Sequence, residues 1–236
     1  MGPLAFLVAG ADKRRPMVQV KICGITRQED ASAVLRAGAD FAGLVFHRNS
    51  PRNVGPEQAA ALAAPLRGRV RVVALVADAT DREIAEAVCA ADPDFIQLHG
   101  AEPPERVAFI RVRFGKPVIK ALGIADETDF APLASYEDVA DMLLFDAKPP
   151  VRESVPGGHG RSFDWQMIRT RTLRKPWLLA GGLDAENVSR AIRSSGAPGV
   201  DVSSGVETAP GVKSANAISD FIAAARATGL AGAVQP

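Results

Sequence analysis

Short runs of branched apolar residues recur along the chain, each followed by a glycine or polar break and then an Ala- and Leu-rich stretch studded with charges. That alternation predicts strand, turn and helix in repeating units. The first run, Val18 to Ile22, breaks at Cys23-Gly24, and Thr26-Arg27-Gln28-Glu29 has the spacing of a capping box. It predicts a helix from Glu29 to Ala37 closed by Gly38. A second strand, Phe41 to Phe46, leads through a loop from His47 to Gly55 into a helix from Glu57 to Ala64, with Pro56 in its first turn. Val70 to Val76 is the third strand, and Thr80-Asp81-Arg82-Glu83 repeats the capping box before a helix through Ala91. Cys89, beside Val88 on that helix, reads as a core residue.

The fourth strand, Asp94 to Leu98, ends in His99-Gly100 ahead of a helix from Pro104 to Val112. The fifth, Pro117 to Ala121, precedes a weak helical pattern between Asp126 and Tyr136 that Pro132 interrupts. The sixth, Met142 to Phe145, runs into Asp146 and then the longest irregular segment, Ala147 to Ser162. The seventh, Pro176 to Ala180, meets Gly181-Gly182 and a helix from Ala185 to Ser194. The eighth, Val200 to Val202, meets Ser203-Ser204-Gly205, and a terminal helix runs from about Lys213 to Arg226. Such alternation implies parallel strands with right-handed crossovers, and eight units imply closure into a (β/α)8 TIM barrel. A doubly wound open sheet is the alternative, but it leaves surplus units unplaced.

Length agrees: 236 residues suit one such barrel, expected over residues 17–228, with a tail at 229–236. Residues 1–16 read as a loosely ordered extension, with Met17 a candidate start. Leu4 to Ala9 is apolar, but its charges follow it, and it is too short for a signal-peptide core or a membrane span. Lys+Arg of 28 against Asp+Glu of 27 gives a formal charge of +1 and no electrostatic case for nucleic acid. Two cysteines without a Cys-x-x-Cys pair point to a reducing cytoplasm.

In a barrel, the residues just after each strand converge on one face, where ligands bind. Here these are Cys23-Gly24, Ser50-Pro51-Arg52, His99, Asp146, Gly181-Gly182 and Ser203-Ser204-Gly205. Position alone leaves Cys23 either a small buried hydrophobe or a presented thiol. Asp146 is either a cap of the following turn or an acid–base group, and Arg52 either a solvated loop cation or an anion ligand. The glycine turns after strands seven and eight predict a phosphate site at Gly181, Gly182, Ser203, Ser204 and Gly205, because glycine lets backbone N–H groups approach an anion.

Several motifs, in order and spacing, resemble one family. They are Lys21-Ile22-Cys23-Gly24-Ile25-Thr26, Gly43-Leu44-Val45-Phe46, Ser50-Pro51-Arg52, Gln97-Leu98-His99-Gly100, Gly160 with Phe163-Asp164-Trp165, Ala180-Gly181-Gly182-Leu183, and Asp201-Val202-Ser203-Ser204-Gly205-Val206-Glu207. From about Val18 to Ala225 the chain is similar to the phosphoribosylanthranilate isomerases of tryptophan biosynthesis. The resemblance implies an Amadori rearrangement of N-(5-phosphoribosyl)anthranilate to 1-(2-carboxyphenylamino)-1-deoxyribulose 5-phosphate, with Asp146 as acid and Cys23 as base. It further implies that Arg52 holds the anthranilate carboxylate. Asp201 is left between bonding the ribose hydroxyls and organising the phosphate loop.

This division of labour asks for a raised carboxyl and a lowered thiol. Leu143, Leu144 and Phe145 are expected to desolvate Asp146, and the helix behind Gly24 to favour the Cys23 thiolate. His47, His99 and His159 fall on different loops with no partner at ligand spacing, and the rearrangement is redox-neutral, so no metal and no organic cofactor is expected; the resemblance implies a small phosphosugar substrate and a monomer or homodimer. The chain departs from the family at His159, where Thr or Ser is usual, and at Ser214, where an acidic residue usually follows Lys213. Two rivals differ in kind: another phosphosugar barrel enzyme with a different reaction, and a barrel that binds phosphate without catalysis. The thiol, carboxyl and arginine together argue against a pure binder.

Overall fold

A computed structural model describes residues 17–148 and 164–231. Eight parallel strands close in chain order: β1 (Gln19–Cys23), β2 (Phe41–Val45), β3 (Arg71–Val76), β4 (Phe95–Leu98), β5 (Val118–Ile124), β6 (Met142–Ala147), β7 (Trp177–Leu179) and β8 (Gly199–Val202), with β8 pairing back to β1. Around them pack α1 (Gln28–Ala37), α2 (Pro56–Ala63), α3 (Asp81–Ala91), α4 (Pro104–Phe114), α5 (Leu133–Val139), α6 (Gln166–Arg169), α7 (Val188–Ser195) and α8 (Ala215–Ala231). The chain is a (β/α)8 barrel, as the alternation requires.

Strand periodicity divides the core in two. Val20, Ile22, Ala42, Leu44, Leu143, Phe145, Val200 and Val202 face outward into the layer shared with the helices. Phe41, Val73, Ile119, Met142, Leu144 and Leu178 face inward and fill the barrel. Phe41 meets Phe95 edge-on, with ring centroids 5.8 Å apart, and the Arg71 guanidinium lies 3.7 Å from the Phe41 centroid. These side chains plug the amino-terminal end, so polar groups gather at the carboxyl-terminal mouth.

Some local expectations change. Thr26 does not cap α1: its hydroxyl donates to the Gly211 carbonyl, and Arg27 occupies the N-cap position without a side-chain cap. A tertiary tie between the first and last loops has outcompeted the local one. Thr80 and Glu83 do form the expected capping box on α3. Cys89 is exposed, contrary to its core reading, because α3 buries Ile84, Ala87 and Ala91, and residue 89 lies on the opposite face of that period. Around Pro132 the weak fifth helix is a 3₁₀ turn, Glu127–Phe130, followed by α5. After β8 comes an unforeseen antiparallel pair, β9 (Glu207–Ala209) and β10 (Val212–Lys213), turning at Gly211. Ser214 accepts a hydrogen bond from the Ala217 N–H, so it serves α8 as an N-cap. Residues 1–16 and most of the segment after β6, with His159 and Gly160, lie outside the described residues.

Candidate active site

Cys23 is the last residue of β1, 5% exposed, and faces the barrel interior beside Val45 and Leu75. Below it on the same inward face is Lys21, fully buried, whose Nζ donates to Asp201 Oδ1 at 2.8 Å. The two are direct register partners across the β1–β8 seam. Burial drives the Lys21 ammonium towards neutrality, but Asp201 and, after it, Cys23 together outweigh burial and leave the lysine more firmly charged than usual.

Gly43, opposite Cys23 on β2, makes room for both groups: a Cβ there would sit 2.9 Å from Cys23 Sγ and 3.3 Å from Lys21 Nζ. Gly24 holds φ of 78°, and a Cβ on it would meet Arg52 Cδ at 2.5 Å. The Cys-Gly turn therefore lets Arg52 lie across it.

Arg52 closes on Glu207 with both arms, Nε to Oε1 at 2.8 Å and Nη2 to Oε2 at 2.7 Å. Lys213 Nζ donates to the same Oε1 at 2.7 Å and to the carbonyl and hydroxyl of Ser203. Burial pushes the Glu207 carboxyl up, but Arg52 and Lys213 together hold it below its ordinary value. Burial lowers the Lys213 ammonium despite Glu207. Ser203 Oγ in turn donates to the Cys23 carbonyl, clipping the β8 loop to the end of β1.

The expected source of thiolate stabilisation is absent. Gly24 and Ile25 spend their N–H groups on the Gly43 carbonyl, and α1 begins only at Gln28. A helix field falls off within about a turn, so it does not reach the thiol. Burial raises the Cys23 thiol above its ordinary value; Lys21 and Lys213 oppose that, while Asp201 adds to it.

Asp146 enters from β6, 9% exposed, and its alternation with Met142 and Leu144 points it inward. Leu143 and Phe145 face the helices instead, so of the three residues expected to desolvate it only Leu144 shares its side of the sheet. Its Oδ1 accepts from the Ala147 N–H at 2.8 Å, and Oδ2 lies 3.2 Å from His99 Nε2. Gln97 Nε2 is 2.9 Å from His99 Nδ1. The imidazole is thus held between the Gln97 amide and the Asp146 carboxyl. Behind this pair the buried Lys120–Glu102 ion pair, at 2.7 Å, pins Gly100: Lys120 donates to its carbonyl and Glu102 accepts its N–H.

Gly181, with φ of 92°, abuts the same strand end, where a Cβ would stand 2.6 Å from the Ala147 nitrogen and 3.1 Å from Asp146 Oδ1. Gly205 presses on the neighbouring loop, its virtual Cβ 1.9 Å from the Leu183 carbonyl oxygen. The N–H groups of Gly181 and Gly182 have no hydrogen-bond partner among the described residues. Ser204 opens a 3₁₀ turn, Ser204–Val206.

All nine residues singled out from the sequence thus come to one mouth, on the ends or loops of β1, β2, β6, β7 and β8. Lys21, Glu207, Lys213 and His99 also belong there. They stand inside or beside the motifs without a role there, because Lys21–Asp201, Arg52–Glu207 and His99–Asp146 meet only when the barrel closes.

A thiol and a carboxyl facing inward at a barrel mouth lined by glycine turns define the class: a (β/α)8 barrel with a candidate acid–base centre. The comparisons narrow it. The family described as N-(5'phosphoribosyl)anthranilate (PRA) isomerase matches residues 20–224, and the chain belongs to that family. The N-(5'-phosphoribosyl)anthranilate isomerase of Paracoccus denitrificans (strain Pd 1222) is 51% identical over 210 residues, covering 89% of this chain and 98% of its own. Phosphoribosyl anthranilate isomerase from Thermotoga maritima superposes with a TM-score of 0.81 at 38% identity, over 89% of this chain and 100% of that one. A relative solved with reduced 1-(o-carboxyphenylamino)-1-deoxyribulose 5-phosphate gives 0.77 at 36% identity, again over 89% and 100%.

Proposed function

We propose that this family member isomerises N-(5-phosphoribosyl)anthranilate to 1-(2-carboxyphenylamino)-1-deoxyribulose 5-phosphate, with Asp146 as general acid and Cys23 as general base. The observation that carries the reading is the inward placement of thiol and carboxyl at the same mouth, from β1 and β6, above an apolar plug. Asp146 protonates the furanose ring oxygen as the C1–O bond breaks, leaving an iminium. Cys23 then removes the C2 proton to give an enolamine, which tautomerises to the ketone. Both steps are proton transfers, and no redox partner is needed.

His99 supports the acid by holding Oδ2. Arg52 takes the anthranilate carboxylate; its two-armed grip on the Glu207 carboxylate supports this reading. The substrate then replaces or joins Glu207 there. The phosphate sits against Gly181, Gly182, Ser204 and Gly205; the Gly181 and Gly182 N–H groups, without a partner among the described residues, favour an anion. Ser203 contributes its backbone, since its hydroxyl serves Cys23 and Lys213. Asp201 meets the ribose hydroxyls with Oδ2, while Oδ1 stays with Lys21.

A base that must remain a free thiol suits the reducing cytoplasm. No helix among the described residues is long and apolar enough to cross a membrane. Expression in a tryptophan auxotroph lacking this isomerase tests the reading: growth without tryptophan is expected, and loss of rescue in both Cys23→Ala and Asp146→Asn. Failure of the unaltered chain to rescue, when expressed and folded, would contradict it.

A further inference from the structure

We propose that Lys21 is the positioning residue for the Cys23 chemistry: its buried ammonium, steered by Asp201, is the counter-ion of the thiolate. This rests on Cys23 being the base. Lys21 and Cys23 are alternate residues of β1, both turned inward and both bordering the space that Gly43 leaves open. A fully buried lysine paired, among the described residues, with one carboxylate is an expensive strut, since an isosteric apolar residue fills a core at lower cost. Its position is what a strut does not need: directly beneath the one thiol of the mouth.

Among the described residues, the charged groups facing that thiol come from several elements around it. They are Lys21 on β1, Asp201 on β8, Lys213 on β10 and Arg52 on the loop before α2, with Glu207 neutralising the last two. Lys213 and Arg52 are thus largely spoken for. Among the described residues the ion-pair partner of Lys21 is Asp201, and Lys21 is the foremost influence opposing the burial of the thiol. When Asp201 turns to the ribose hydroxyls, its negative charge is partly drawn away from Lys21, and the ammonium acts more fully on the sulfur. Binding of the sugar would then favour the thiolate just when a base is needed.

The test is the ultraviolet titration of the Cys23 thiolate in a Cys89→Ser background, with Cys23→Ser as blank, alongside kcat/KM against pH. Lys21→Met should raise the thiol midpoint by roughly one to three pH units, and Asp201→Asn should lower it. The limb of the kcat/KM profile set by Cys23 should move the same way in each. Lys21→Met/Asp201→Asn keeps both shapes without charge and covers the case in which the single Lys21 variant does not fold. Its midpoint should lie above that of Asp201→Asn by about a unit, a tenfold difference in thiolate at fixed pH. Equal midpoints in Asp201→Asn and the double variant would overturn the proposal, whereas a purely structural Lys21 would cost stability and leave them equal. If Cys23→Ala retained full turnover while these midpoints separated, the base assignment would fall and the ion pairing would stand.

Discussion

Arg52 and Glu207, far apart in sequence, meet in a two-pronged ion pair across the mouth of the barrel, 2.8 and 2.7 Å long. A substrate carboxylate competes for this grip. Arg52→Ala should therefore weaken binding of a product analogue by about 10- to 100-fold, the worth of a charge-assisted hydrogen bond of about 1.5–3 kcal/mol, and change kcat much less. Titration calorimetry with the analogue reads this directly. Unchanged affinity would remove Arg52 from the carboxylate role.

Glu207 also ties the site to acid stability. Its folded carboxyl lies below the ordinary 4.5 because Arg52 and Lys213 outweigh its burial. A depressed carboxyl contributes stability that is full above pH 4.5 and fades as pH falls through the folded value. Glu207→Gln should lie below the wild type in urea midpoint at pH 7, and the gap should shrink on acidification below 4.5. A gap that stayed constant or widened would contradict this linkage.

His99 acts through Asp146, 3.2 Å from its Nε2. His99→Leu should lower kcat by about tenfold, the cost of one hydrogen bond to a charged or reacting group, with analogue affinity little changed. Loss of affinity with normal kcat would place His99 on the substrate instead.

Hydrophobic periodicity and glycine breaks sufficed for the barrel, since each strand–turn–helix unit is written locally. Strand ends are legible as well, which is why the sequence places Cys23, Arg52, Asp146 and Gly181 on one face. What could not be read depends on closure. Lys21 meets Asp201 only because β8 pairs with β1 in one register, and Arg52 meets Glu207 only because the β9–β10 hairpin folds over the first loops. The same closure drew Thr26 away from its local cap to Gly211. Cys89 reads as core beside its apolar neighbour Val88, but the helical period turns residue 89 outward.

Deleting residues 1–16 should leave folding and activity intact. The family match starts at residue 20, and β1 begins at Gln19 with its N–H already bonded to the Pro198 carbonyl. Thermal midpoint and kcat/KM of the shortened chain check this. A collapse of either would make the extension part of the working barrel.

The central claim is that an acid at residue 146 and a base at residue 23 share the work of the rearrangement. The turnover of Asp146→Asn tests it most directly, because the amide keeps the side chain's shape but cannot deliver the proton. With product-analogue affinity within a few-fold of wild type, kcat should fall by about 10²–10⁴-fold, the range of a lost general acid. Wild-type turnover in Asp146→Asn across the whole pH range would contradict the account, since ring opening would then need no acid at that position.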